Sequence, residues 1–97
     1  MIQNLSIQVV PLNTTEAYAQ IDRAIAVIEN SGLNHTVTSF NTQVEGELKS
    51  LLELITEIQS ALFNSGTDEV LLNFQIHAKS EMDVFLHEKL KTSKHEF

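Results

Sequence analysis

The tripeptide Asn-Ser-Gly occurs twice, at residues 30–32 and 64–66, and each copy separates a helix-like segment from a strand-like one. Glycine just after a helical pattern is a common stop signal, because a residue without a Cβ adopts positive φ at no steric cost. Two such copies predict two successive units, each of which ends a helix and then begins a strand. A chain of 97 residues has room for both units in one small domain.

The segments that precede the two tripeptides have the apolar spacing of amphipathic helices. The apolar positions are Tyr18, Ile21, Ala24, Ile25 and Ile28 in the first helix, and Leu48, Leu51, Leu52, Ile55, Ile58 and Leu62 in the second. Thr14 or Thr15 is expected to cap the first helix. Each helix needs a sheet or another helix to cover its apolar stripe.

Two segments alternate with the period of two that is typical of a strand with one buried side. One side carries Leu5, Ile7 and Val9 in the first strand and Val70, Leu72, Phe74 and Ile76 in the last. Weaker strands are predicted at about 34–40 and 42–46. Pro11 is expected to end the first strand, because proline cannot donate to a β-ladder.

The resulting order, β-α-β-β-α-β, is that of the ferredoxin-like α+β sandwich. We expect an antiparallel sheet in the order 4-1-3-2, with both helices on one side. Residues 1–97 are predicted to be a single domain, with a compact part at about 3–78 and an extra C-terminal helix at about 80–92.

The sheet side away from the helices is unusual in its chemistry. Its predicted residues are Ser6, Gln8, Gln43, Glu45, Asn73, Gln75 and His77, most of which are uncharged and polar. A plain solvated surface usually carries more charge, whereas amides suit a partly desolvated, hydrogen-bonded surface. The composition leaves three alternatives open: an interface between subunits, a ligand pocket, or an ordinary wet surface.

Composition excludes several classes of protein. The chain has no cysteine, which rules out disulfides and thiolate sites, and its net charge of −7 argues against nucleic-acid binding. It contains no apolar run of membrane-spanning length and no signal-peptide pattern at its start, so we expect a cytoplasmic protein without membrane contact. No nucleophile, metal or phosphate motif is evident, so neither enzymatic activity nor a metal or cofactor is expected.

Two short motifs resemble those of the thiamine-binding protein family. The run Ile7-Gln8-Val9-Val10-Pro11-Leu12 is similar to the strand-Pro-Leu opening of that family, and residues 42–47, Thr-Gln-Val-Glu-Gly-Glu, are similar to its Thr-x-x-Glu-Gly segment. The two Asn-Ser-Gly stops fall where the family ends its helices. The resemblance covers roughly residues 3–90.

The resemblance implies a small oligomer, a homodimer or homotetramer, that binds thiamine or its hydroxymethylpyrimidine half without an enzymatic reaction. The ligand-binding residues that we predict are Glu45, Thr42, Ser39, Gln8, Asn41 and Phe40. Glu45 would accept from the exocyclic amine or hold a protonated ring nitrogen, and Phe40 would lie against the ring.

The chain also departs from the family pattern. Asn13-Thr14 stands where the family often has Gly-Thr, and Asp68-Glu69 stands where it often has an arginine. The loss of positive groups favours an unphosphorylated ligand. The alternative from another functional class is a structural or regulatory protein-interaction module that binds no small molecule. A ligand site predicts a partly buried Glu45 facing a cavity, whereas the alternative predicts that it is exposed or paired with a lysine.

Overall fold

The computed structural model describes residues 1–87. Its elements are β1 (Ile2–Leu12), α1 (Ala17–Asn30), β2 (His35–Val37), β3 (Thr42–Glu47), α2 (Leu48–Asn64) and β4 (Glu69–His77). All pairings are antiparallel and the strand order is β2-β3-β1-β4. The predicted order of elements and of strands is therefore confirmed, and the fold is a small α+β domain consistent with the ferredoxin-like sandwich.

The extra C-terminal helix predicted at about 80–92 is not shown. Residues 78–85 contain no helix, and a helical turn begins only at Leu86. The part of that prediction from residue 88 onward lies outside the described residues.

Both helices pack on the same side of the sheet, around one apolar core. Its fully buried members are Leu5, Ile7, Ala24, Ile28, Val44, Leu51, Leu54, Ile58 and Leu62. Four residues that the periodicity places on an apolar side are instead exposed: Tyr18, Leu48, Leu52 and Phe74. The buried stripe of α2 runs through residues 51, 54, 58 and 62 and so turns Leu52 outward, while Phe74 lies on an edge strand. Within residues 1–87, neither helix is both long and apolar enough to cross a membrane.

The two Asn-Ser-Gly copies play the same structural role. Gly32 and Gly66 have φ of 75° and 98°, the left-handed conformation expected after a helix. In both copies the serine hydroxyl donates to a carbonyl of the last helical turn, Ser31 to Ile28 and Ser65 to Ala61. The repeat therefore marks two equivalent helix ends, as predicted.

The end of β1 differs from the prediction. Pro11 does not end the strand, since it pairs with Val70 and β1 continues to Leu12. This is possible because β3 pairs with β1 only as far as Ile7. At Pro11 the edge of β1 that would face β3 is therefore free, and no N–H is needed there to donate to a neighbouring strand. Asn13 then has φ of 54°, a left-handed conformation that asparagine tolerates better than most residues. Asparagine can therefore stand where the family often has glycine.

The start of α1 also differs in detail. The N-cap residue is Glu16, and its side chain makes no capping hydrogen bond. The Thr14 hydroxyl accepts from the backbone N–H of Glu16 at 3.0 Å, whereas a side-chain cap would accept from the second or third residue of the helix. Thr14 thus orders the turn before the helix.

Candidate functional site

The strand register arranges the polar side chains of the open face in three rows. The first row is Glu45, Asn4 and His77, and the second is Gln43, Ser6 and Gln75. The third row is formed by Gln8 and its partner Asn73, with Asn41 beside them at the start of β3. Cross-strand partners share one face of a sheet, so these side chains form one continuous polar surface on the side opposite the core.

The rows are almost uncharged. Glu45 is the one carboxylate in them, His77 is the one imidazole, and every other member is an amide or a hydroxyl. Amide side chains both donate and accept, and thus suit a ligand that presents donors and acceptors on one edge.

An open groove of about 490 Å³ lies over the first two rows. It is lined by Asn4, Leu5, Ser6, Gln43, Gln75, Ile76, His77 and Leu86. Its volume falls within the usual range for small-molecule sites, about 300–1,000 Å³. A second groove shares Ser6 and Gln75 with it and extends over the third row to Phe40. Together the two grooves offer an elongated surface.

Asn4 is the best buried polar residue of this face, at 2% exposure. Its Nδ2 donates to the carbonyl oxygen of Val84 at 2.5 Å, while its Oδ1 has no hydrogen-bond partner. A buried acceptor without a donor costs about 1–3 kcal/mol, which favours a ligand or water that supplies one. The sequence analysis missed Asn4, although extending the alternation of Ser6 and Gln8 by one more step would have found it.

Glu45 lies on the open face, partly buried, and both of its oxygens are engaged. Oε1 accepts from Nδ2 of Asn34 at 2.7 Å, and Oε2 accepts from the backbone N–H of Leu86 at 2.9 Å. The carboxylate is therefore held by neutral donors of its own chain rather than by a lysine.

Thr42 lies on the other side of the sheet. It pairs with Ile7 and Val37, and its buried side chain lines a smaller cavity of about 160 Å³ between the sheet and α1. Alternation along β3 makes this unavoidable, because residues separated by three positions point to opposite sides. The structure therefore does not bring Thr42 and Glu45 into one site.

The remaining predicted residues lie at the far end of the open face. Asn41 donates through Nδ2 to the Ser6 hydroxyl at 2.6 Å, and Gln8 accepts from Asn73 at 3.4 Å. Phe40 is 82% exposed beside the second groove, and Ser39 is an exposed residue of the same loop. Glu45 and Asn41 are about 13 Å apart along the strand at the usual rise of about 3.3 Å per residue. Gln8, Phe40 and Asn41 thus line the second groove, whereas none of the six predicted residues lines the groove of about 490 Å³, and Glu45 lies beside it in the first row.

Known proteins of similar sequence and structure were found for this chain. A UPF0045 protein of Clostridium perfringens is 29% identical over 77 residues, which are 78% of this chain and 81% of the relative. A UPF0045 protein of Staphylococcus xylosus is 26% identical over 93 residues, 90% of this chain and 87% of the relative.

Two solved structures match over almost their full length. A domain of unknown function from Bacillus cereus superposes with a TM-score of 0.88 at 32% identity, covering 100% of this chain and 94% of that one. A candidate thiamine biosynthesis/salvage protein from Thermotoga maritima superposes with a TM-score of 0.86 at 28% identity, covering 96% of this chain and 99% of that one. The family model described as thiamine-binding protein matches residues 5–94. The chain therefore belongs to the thiamine-binding protein family.

Proposed function

We propose that the protein binds thiamine or a hydroxymethylpyrimidine-type ligand in the grooves of the open sheet face. Family membership supports a thiamine-related role. The observation that carries the proposal is the groove of about 490 Å³ with the buried, unpartnered Oδ1 of Asn4 beneath it. Glu45 is the one carboxylate in the three rows, and both of its oxygens are held by donors of the same chain, so we propose binding without an enzymatic reaction. We also propose that the protein acts in the cytoplasm.

The polar groups of the groove, together with Glu45 beside it, match the edge of an aminopyrimidine. The ring offers nitrogen acceptors and an exocyclic amine donor. The amides of Gln43 and Gln75 can donate to ring nitrogens, while Oδ1 of Asn4 and the Glu45 carboxylate can accept from the amine. These groups stand in two adjacent rows, about 7 Å apart along the strands at the usual rise of about 3.3 Å per residue.

The second groove suits the other half of thiamine. Its rim carries Phe40, whose exposed ring offers a π-face to the cationic thiazolium. The charge of the chain favours the same cation, because thirteen acids outnumber six bases. Neither Lys nor Arg is present in the three rows, so a phosphate on the ligand finds no counter-charge there.

Calorimetry with thiamine, hydroxymethylpyrimidine and thiamine monophosphate tests the proposal. We expect binding of thiamine or hydroxymethylpyrimidine and weaker binding of the phosphate. In a thermal-shift experiment, ligand at 100 times its dissociation constant should stabilise the protein by roughly 2.7 kcal/mol. If neither unphosphorylated compound binds at millimolar concentration, the interaction-module alternative becomes the better account.

We also propose that the protein is a homo-oligomer that associates through the free edge of β4. This strand has nine residues, pairs only with β1 in the described part of the chain, and contains neither Lys nor Pro. Edge strands that stay unpaired usually carry such residues. Leu71 and Phe74 are about half exposed along it. Pairing β4 with its copy would give an isologous dimer, and a tetramer would need a second contact.

Charging this edge is expected to dissociate the oligomer. The Leu71→Lys, Phe74→Lys variant adds two positive charges to each copy of the edge strand, and lysines on an edge strand oppose its pairing with another strand. Leu52→Lys, on the exposed side of α2, is the matched control. Sedimentation should give at least twice the 10.9 kDa chain mass for the wild type and the control, and about one chain mass for the variant. A monomeric wild type at micromolar concentration would refute the proposal.

A further inference from the structure

Residues 82–87, here called the strap, cross one end of the open face, over Asn4 and Glu45 of the first row. The backbone N–H of Val84 donates to the carbonyl oxygen of Ile2 at 2.9 Å, and the N–H of Ile2 donates to Oδ1 of Asp83 at 2.7 Å. These contacts tie the strap to the start of β1. Val84 and Leu86 are both buried, so the strap also excludes water from this end of the face.

The strap binds the two side chains that the proposed ligand would need. The Val84 carbonyl accepts from Nδ2 of Asn4, and the Leu86 N–H donates to Oε2 of Glu45. Leu86 also lines the groove of about 490 Å³. An N–H aimed at the Glu45 carboxylate is the same chemistry that an exocyclic amine would present.

The closed strap leaves Asn4 incompletely satisfied. Beneath the strap, Oδ1 of Asn4 is buried and accepts no hydrogen bond, while Nδ2 donates to the Val84 carbonyl oxygen. Buried polar groups are nearly always paired, so this unpaired acceptor is a cost of the closed arrangement. Residues 78–81, which lead into the strap, are exposed and irregular. Opening breaks the four hydrogen bonds that hold the strap and exposes Val84 and Leu86, and it makes Asn4 accessible to a ligand.

We propose that the strap is an autoinhibitory contact, in which the Leu86 N–H occupies the position on Glu45 that the ligand's amine takes. Binding then requires displacement of residues 82–87. The apparent affinity is then the intrinsic affinity multiplied by the fraction of molecules in which the strap is open. This inference rests on the proposed function, because the strap contacts the open-face site that we propose for the ligand.

A pair of variants at residue 86 isolates the competing N–H. Leu86→Pro removes the N–H, and proline is compatible with this position because Leu86 begins a helical turn and Phe85 is not helical. Leu86→Ala shortens the side chain but keeps the N–H. Both variants lose apolar packing, so the difference between them reports the hydrogen bond to Glu45.

The test is calorimetry with hydroxymethylpyrimidine on the wild type, Leu86→Pro and Leu86→Ala. We expect Leu86→Pro to bind at least about fivefold more tightly than Leu86→Ala, as the loss of a charge-assisted hydrogen bond from the closed state implies. If the wild type binds and Leu86→Pro binds no more tightly than Leu86→Ala, the inference is overturned while the proposed function stands. If none of the three binds, both are overturned.

Amide hydrogen exchange on the wild type gives a second readout that needs no variant. The amides of Val84 and Leu86, both hydrogen-bonded in the closed strap, should exchange faster when hydroxymethylpyrimidine is bound. Slower exchange at these two amides would show that the strap closes over the ligand and would overturn the inference.

Discussion

In a protein that carries Leu86→Pro, the further change Glu45→Gln is expected to weaken hydroxymethylpyrimidine binding about ten- to a hundredfold. A hydrogen bond to a charged group contributes about 1.5–3 kcal/mol, and glutamine keeps the shape of the side chain while removing its charge. In the wild-type background we expect a smaller loss. There the carboxylate also holds the Leu86 N–H at 2.9 Å, so the substitution weakens both the ligand contact and its competitor.

Glu47→Gln is the matched control for this pair of measurements. It removes one carboxylate from the end of the same strand, but Glu47 is exposed and lies beyond the three polar rows. Calorimetry should show a change of less than about twofold. Equal losses for Glu45→Gln in the two backgrounds would mean that ligand and strap do not compete for this carboxylate. Unchanged affinity in both backgrounds would move the site away from Glu45.

The second large effect is expected in the core, at two adjacent leucines of α2. Leu51 is 0% exposed and Leu52 is 47% exposed. Leu51→Ala should lower the free energy of unfolding by about 2–5 kcal/mol, because it removes buried methyl groups and leaves a cavity between helix and sheet. Leu52→Ala should cost less than about 1 kcal/mol, since its side chain already meets water.

Denaturant unfolding of the two variants at equal protein concentration measures this difference. The same concentration matters because association would add to the measured stability. A loss at Leu52→Ala as large as that at Leu51→Ala would show that the outer side of α2 is covered by a partner. Such a result would place a subunit contact on the helices rather than on β4.

Local sequence signals were sufficient for the architecture. Gly32 and Gly66 mark the helix ends because glycine, which has no Cβ, adopts positive φ without steric cost wherever it stands in a sequence. The alternation of Leu5, Ser6 and Ile7 assigns each side chain to one side of the sheet, because successive strand residues point in opposite directions. The polar open face was predicted from the same alternation, and the register confirms it.

The sequence was less informative where two neighbouring residues had the same chemistry. Leu51 and Leu52 both fit an apolar stripe, and only the packing angle of α2 against the sheet decides which of them is buried. The resemblance to the thiamine-binding protein family implied one site for Thr42 and Glu45. The pleat of β3 puts the threonine beneath the sheet and the carboxylate above it.

The contacts of Glu45 depended on the tertiary structure entirely. Its two donors, Asn34 and the backbone of Leu86, lie 11 and 41 residues away in the chain. No periodicity connects positions at such separations, and a backbone N–H carries no sequence signature at all. The amino-acid order therefore specifies which side chains share the open face. The path of residues 82–87 across that face decides which of them are already occupied, because hydrogen bonding there depends on where a distant segment packs.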